Sequence, residues 1–397
     1  MPWDVVVAFA ALMAITTGCR QSLGLFVRPL AATGAGIAAV SLALAVGQFC
    51  WGACQPGFGI LADRIGSYRV IVLGAVLMAT GLALVPWMTS LPGLFLTLGV
   101  MSAVGGGAGS FAIVAGAIGR RVPAAHQTMA SAYVNAGASL GQFIFAPLTQ
   151  AVIAVASWPA AIWTLALAAL TTIVIARPAA LPSAGEAGAE PAPHIPLLEL
   201  MRTALRERSY WCLHLGFFTC GFHIAFLVTH LPGEVALCGL STSAAGFAIG
   251  LIGLANVVGT LAFGWLAMRY RLKSLLIALY LTRVLAIGAY LLAPKTLVTL
   301  YVFSAVLGVT WLPTVPLTAG LVGKLFGARH LATLFGLAVM SHQIGGFFGA
   351  WLGGLAVSMT GSYHPIWLLD MGLAAIAALA HLPVRELPLT ASATAAA

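Results

Sequence analysis

Five side chains in this 397-residue sequence could do chemistry where their neighbours could not: Arg20, His223, Arg283, His342 and Asp370 each interrupt a long apolar run. A guanidinium offers a planar fork of donors that fits a carboxylate and stays charged at any physiological pH. A histidine takes up or releases a proton near neutrality. An arginine and an aspartate at similar depth can cancel each other's charge, which makes Arg283 and Asp370 a structural ion pair on this reading. Amides and a hydroxyl able to orient a ligand, or simply to tie helices together, accompany them: Gln48, Gln55, Asn135, Gln142, Asn256, Thr260 and Gln343. No triad spacing, nucleotide-binding glycine loop or metal-ligand cluster joins them, so no enzyme and no cofactor is expected. The six cysteines contain no C-x-x-C pair and read as packing residues.

The elements that must position these groups lie in lipid. Charged residues make up 7% of the chain and hydrophobic ones 61%, with a mean hydropathy of +1.04. A soluble protein carries roughly 25% charged residues, so a water-facing enzyme or a nucleic-acid-binding domain is excluded. The net charge of +9 is scattered between apolar runs and not gathered on one face. An ionisable group at mid-membrane costs about 2.5 to 3.5 kcal/mol, so each one calls for a partner, a cavity or a function. A bilayer core needs roughly 20 apolar residues of helix. The sequence supplies twelve such spans, near 5–27, 37–62, 69–88, 92–118, 128–154, 157–176, 209–231, 242–267, 274–293, 296–322, 330–357 and 362–382. The first is too long for a cleaved signal peptide. A proline-rich stretch, 177–208, separates a six-span half (1–176) from a second (209–383) and a tail (384–397), with a short amphipathic helix expected from Pro196 to Glu207. Fourteen basic residues fall on the side of the termini and only Arg28 and Lys295 on the other, which places both termini in the cytoplasm.

The halves also match each other. Gly18, Arg20 and Pro29 correspond to Gly221, His223 and Pro232 at an offset of 203; Gly59, Leu61, Ala62 and Arg64 to Gly264, Leu266, Ala267 and Arg269 at 205; Gly141, Phe143 and Ala146 to Gly345, Phe347 and Ala350 at 204. A nearly constant offset indicates a duplicated six-helix unit with parallel halves. After span 2 the chain reads Gly59-Ile60-Leu61-Ala62-Asp63-Arg64-Ile65-Gly66-Ser67-Tyr68-Arg69. This loop, with the repeat, resembles the G-x-L-A-D-R-x-G-x-x-R signature of the major facilitator superfamily. The resemblance implies an all-α membrane fold of twelve helices in two pseudo-symmetric halves. It also implies a gating motif, Gly59, Asp63, Arg64, Gly66 and Arg69, in which Asp63 sits against the start of span 11. Met268 replaces the aspartate in the second half, so the latch would be one-sided.

Within the superfamily the chain is similar to the monocarboxylate and oxalate/formate transporter branch, through Arg20-Gln21-Ser22-Leu23-Gly24-Leu25-Phe26 and Ala136-Gly137-Ala138-Ser139-Leu140-Gly141-Gln142. It departs from that branch at Thr260, where an arginine is usual, and at Asn256, where monocarboxylate carriers have an acid. The resemblance implies a central cavity between spans 1 and 7, with Arg20 and its repeat mate His223 flanking one site. His342, Gln343, Asn256, Thr260 and Gln55 are the further substrate-binding candidates. Gly105, Gly106, Gly107, Gly109, Pro313 and Pro316 are either hinges or close-packing positions. The expected function is alternating-access transport of a small organic anion, a monocarboxylate before others, with a proton as coupling ion carried on His223, His342 or the substrate. A functional monomer in the lipid bilayer of a bacterial inner membrane is expected, with no nucleic-acid partner. An efflux carrier for amphipathic drugs is the first alternative and a transporter-derived sensor the second.

Overall fold

A computed structural model describes residues 2–122, 124–177, 197–326 and 331–386, without the side chains of Asp63 and of some residues in 112–132, 197–200 and 331–333. Long apolar runs must form helices in lipid, because a helix satisfies its backbone polar groups internally. The helices are α1 (Trp3–Ala35), α2 (Ile37–Ala62), α3 (Ser67–Trp87), α4 (Leu91–Ala108), α5 (Ala124–Val155), α6 (Trp158–Ile175), α7 (Arg208–Leu237), α8 (Thr242–Leu266), α9 (Leu272–Leu292), α10 (Leu297–Phe326), α11 (Leu331–Thr360) and α12 (His364–His381). Among the described residues, eleven stretches are long and apolar enough to cross a membrane. Helix α11 has 30 residues and is packed between α7 and α2; its glycines, His342 and Gln343 dilute its apolarity. A further helix, Leu197–Arg206, precedes α7.

Several helices are interrupted, and the breaks in α1, α4 and α10 bear on the site. The regular part of α1 ends at Gln21, and a tight 3₁₀ turn covers Leu23–Phe26. The Ser22 hydroxyl donates to the Gly18 carbonyl there, at 2.8 Å, and competes with the helical ladder. Helix α4 stops in its glycine run at Ala108 and resumes as Phe111–Arg121. Helix α10 breaks between Thr310 and Thr314 around Pro313, which has no N–H to continue the ladder. The glycine motif after span 2 is not a loop. Residues Gln55–Ile65 are helical, and the whole turn into α3 is Gly66, whose φ of +91° favours glycine.

The repeat is visible in the packing. A Cβ added to Gly141 on α5 would run into the Ala14 carbonyl of α1. The equivalent Gly345 on α11 meets the Phe218 carbonyl of α7 in the same way. One turn along, Gly137 approaches Ala10 closely, whereas the equivalent pair Ser341 and His214 fills the space with a 2.6 Å hydrogen bond. Between the halves, α2 packs on α11 and α5 on α8. At the end away from the termini these contacts are tight: Gly354 abuts Ser41, and its counterpart Gly246 abuts Gln150. Toward the termini the same helices carry Gly57, Gly59, Gly264 and Gly336, with no described atom within 4 Å of an added Cβ. Among the described residues, the close glycine contacts between the halves gather at the end away from the termini.

Backbone approach of this kind tolerates no side chain. Gly141→Leu is expected to lose at least about 3 kcal/mol by overpacking, read as loss of folded protein or a lowered melting temperature in detergent. Gly264→Ala should stay within about 1 kcal/mol of the parent in the same assay.

Candidate functional site

The last turn of regular α1 carries Arg20 into the gap between the halves, just before the helix narrows. Its Nη1 donates to Gln48 Oε1 on α2 at 2.7 Å, and its guanidinium lies 4.2 Å from the centre of the Trp51 ring. The Gln48 amide nitrogen in turn donates to Gln343 Oε1 on α11 at 2.9 Å. A polar chain therefore crosses from the first half to the second. Glycines seat it: a Cβ at Gly52 would run into the Gln343 side chain, and one at Gly346 would lie 2.7 Å from Gln48 Cγ. On the opposite side of the interface, Asn256 of α8 donates to Ser139 of α5 at 2.9 Å. Ser139 stands 204 residues before Gln343, whereas Asn256 corresponds to Gly52 and not to Gln48, so the two ties share one repeat position and differ at the other.

Beside Arg20 is a cavity with about 630 Å³ of atom-free space, part of it open to the surroundings. Its polar lining is Arg20, Gln21, Gln48, Ser102 and Thr229; Leu44, Met78, Leu98, Ile224 and Val228 are among its apolar walls. Ser102 reaches it from a widened helical stretch, Phe95–Ser102, in α4. Among the described residues, no carboxylate lines this cavity. Only one of the five N–H donors of Arg20 is engaged by Gln48 among the described contacts. The arrangement suits a small anion held between a charged donor fork and apolar walls.

His223 does not flank this cavity. It is 1% exposed and turns into the second half, where Nδ1 lies 2.5 Å from Asp370 Oδ2 on α12. The expected Arg283–Asp370 ion pair is corrected by the same contact. The Nη2 of Arg283 donates to the carbonyls of Thr310 at 2.5 Å and Trp311 at 3.2 Å. These are the carbonyls freed where α10 breaks, at a helix C-terminus that attracts a cation. The break thus takes the arginine, and the aspartate takes the histidine.

The other expected residues are scattered. Gln343 belongs to the polar chain, but neither it nor His342 lines the cavity; the His342 ring packs 5.0 Å from Phe217. Asn256 is buried and fully engaged, since its Oδ1 accepts from the Leu312 N–H at the α10 break at 3.0 Å. Thr260 is away from the cavity, its hydroxyl buried without a described partner. Gln55 donates back to the Trp51 carbonyl at 3.2 Å. Arg64 and Arg69 are exposed, while the contact of Asp63 with the start of α11 lies outside the described residues. Sequence reading undervalued Gln48 and missed Gln21, Ser102 and Thr229. Polar residues spaced along apolar helices were the only signal, and a span that is apolar all round does not say which face meets a cavity.

A family model for the Major Facilitator Superfamily matches residues 5–350 and 236–396. The chain belongs to that superfamily. Among its relatives, monocarboxylate transporter 12 of Mus musculus is 27% identical over 350 residues, covering 80% of this chain and 71% of that protein. Monocarboxylate transporter 13 of Bos taurus is 27% identical over 378 residues, covering 91% and 84%. An uncharacterized MFS-type transporter of Bacillus subtilis, YcxA, is 23% identical over 400 residues, covering 95% and 94%. The fold is shared with a D-xylose–proton symporter, at a TM-score of 0.75 and 15% identity over 97% of this chain and 98% of that one. It is shared also with a nucleoside transporter, NupG, at 0.76 and 13% over 96% and 99%. This major facilitator protein is a membrane transporter and not an enzyme.

The separate partners of Arg283 and Asp370 have a measurable consequence. Each single exchange, Arg283→Asp or Asp370→Arg, should cost roughly 3 kcal/mol as an uncompensated buried charge. The double exchange should give no more folded protein than the worse single, because an aspartate at 283 would face the Thr310 and Trp311 carbonyls. Size-exclusion profiles and melting curves of the three variants decide it.

Proposed function

We propose that this transporter moves a small monocarboxylate by alternating access, together with a proton. The observation that carries the reading is Arg20, a cationic fork on the wall of a cavity that has no carboxylate to neutralise it. A carboxylate entering the cavity would compete with Gln48 for the guanidinium. That competition would loosen the Gln48–Gln343 tie, so binding would act directly on the contact between the halves. The relatives named monocarboxylate transporters support the substrate class. The end with the close glycine contacts would be the outer one, since the basic residues gather on the side of the termini. A proton carried with the anion would make the cycle electroneutral, so the pH difference would drive it and the membrane potential would not.

Uptake into proteoliposomes tests this. Labelled lactate, pyruvate, formate and oxalate should be compared under an inward proton gradient, with accumulation of at least one expected. Arg20→Gln should lower uptake of that anion by roughly 10- to 100-fold, the range set by loss of a hydrogen bond to a charged group. Transport of an amphipathic cation untouched by Arg20→Gln, with none of the acids moved, would favour the efflux reading instead.

A further inference from the structure

A buried cluster that the substrate cavity does not use lies inside the second half. We propose that the His223–Asp370 pair is a proton-binding site, separate from the cavity, through which the pH difference drives transport. The proposal rests on the monocarboxylate reading only for the identity of the cargo. His223, Asp370 and Arg283 are 1%, 0% and 0% exposed. The arginine and the aspartate already balance, so the cluster is neutral while the imidazole is neutral. The third member adds the capacity for one proton and is not needed for charge balance.

The geometry shows where that proton goes. With Nδ1 2.5 Å from Asp370 Oδ2, the neutral ring donates from Nδ1 and keeps its lone pair on Nε2. Nε2 has no partner among the described residues, nor have Asp370 Oδ1 and Arg283 Nε and Nη1. Buried polar atoms are normally paired, and ion pairs in such surroundings seldom add stability over apolar residues. A proton on Nε2 breaks no bond and places an imidazolium against the carboxylate. Around the pair, Arg283 of α9 reaches Cys220, three residues before His223 on α7; Tyr280 of α9 donates to the Gly216 carbonyl and His342 of α11 packs on Phe217, both further along α7, and Arg20 stands on the cavity wall. Asp370 is the single carboxylate in this set.

The adjoining residues connect the site to the cavity. Ile224 and Ala225, next to His223 on α7, line the cavity wall. The two sites are thus about one helix diameter apart, roughly 10 Å. At that separation an anion in the cavity and a proton on the pair attract each other across the wall of α7. By linkage each then tightens the other to the same extent. Each ligand loads the other.

Two measurements test the site. The first uses the full chain in nanodiscs with ¹⁵N-labelled histidine, the His223 signals being assigned with His223→Gln. As pH is raised across the range in which the protein stays folded, the ring should pass from imidazolium to neutral shifts. A ring that keeps one protonation state throughout overturns the proposal, whatever the cargo. The second uses proteoliposomes with lactate. Exchange of labelled for unlabelled lactate does not require the empty carrier to reorient. His223→Gln and Asp370→Asn should therefore retain exchange while losing gradient-driven accumulation by about tenfold or more. Accumulation equal to the parent, or exchange and accumulation lost together in folded protein, overturns it. If the parent chain exchanges no lactate, the substrate reading fails, and the histidine titration alone decides the proton site.

Discussion

Inside a bilayer no water drives helices together and none solvates a stray polar atom, so packing has to come from shape and polarity has to be matched within the protein. This constraint explains most of the architecture. The α1–α5 and α7–α11 contacts are backbone against backbone, with Gly141 and Gly345 admitting the carbonyls of Ala14 and Phe218. Where the second half carries Ser341 and His214 in place of Gly137 and Ala10, the lost closeness is offset by a hydrogen bond. Breaks in the helices are matched in the same way. The carbonyls freed at Thr310 and Trp311 receive Arg283, and the Leu312 N–H is met by Asn256.

Between the halves the same constraint produces an interface with few polar ties. Gln48–Gln343, Asn256–Ser139 and Gln142 to the Ile249 carbonyl cross the middle, and glycine contacts close one end. Few interactions need to change for the halves to rock, since these are neutral hydrogen bonds and van der Waals contacts. The tie next to Arg20 shares Gln48 with the guanidinium, the amide oxygen accepting from Arg20 and the amide nitrogen donating to Gln343, so a ligand of Arg20 and the interface would draw on the same side chain. The Asn256 tie reaches instead to the break in α10, which joins the interface to the interior of the second half.

The sequence made the spans, the twofold division of the helices and the importance of Arg20 legible, because each depends on quantities local to the chain: length, apolarity, offset and the rarity of charge. Orientation around the helix axis was not legible. His223 sits at the repeat position of Arg20, yet it turns inward, because Asp370 on α12 offers a partner there and the cavity wall of α7 is filled by Ile224 and Ala225. Arg283 and Asp370 are both buried deep in their spans, but the choice of partner depended on carbonyls exposed by a proline in a third helix. The glycine motif after α2 looked like a loop from its composition and proved to be a helix end and a one-residue turn. Gln48 was undervalued because an amide in a helix interface is common. Only the placement of Gln343 opposite it shows that this one bridges the halves.

The duplicated halves no longer carry equivalent equipment. The fixed charge at the cavity stands in the first, on α1, while the buried trio of His223, Arg283 and Asp370 stands entirely in the second. On the proposed assignments, two copies that began as duplicates divide the labour, with recognition of cargo and response to acidity on separately inherited stretches of chain. A lineage of such carriers could then change what it carries through substitutions in one copy while its energy source stays written in the other.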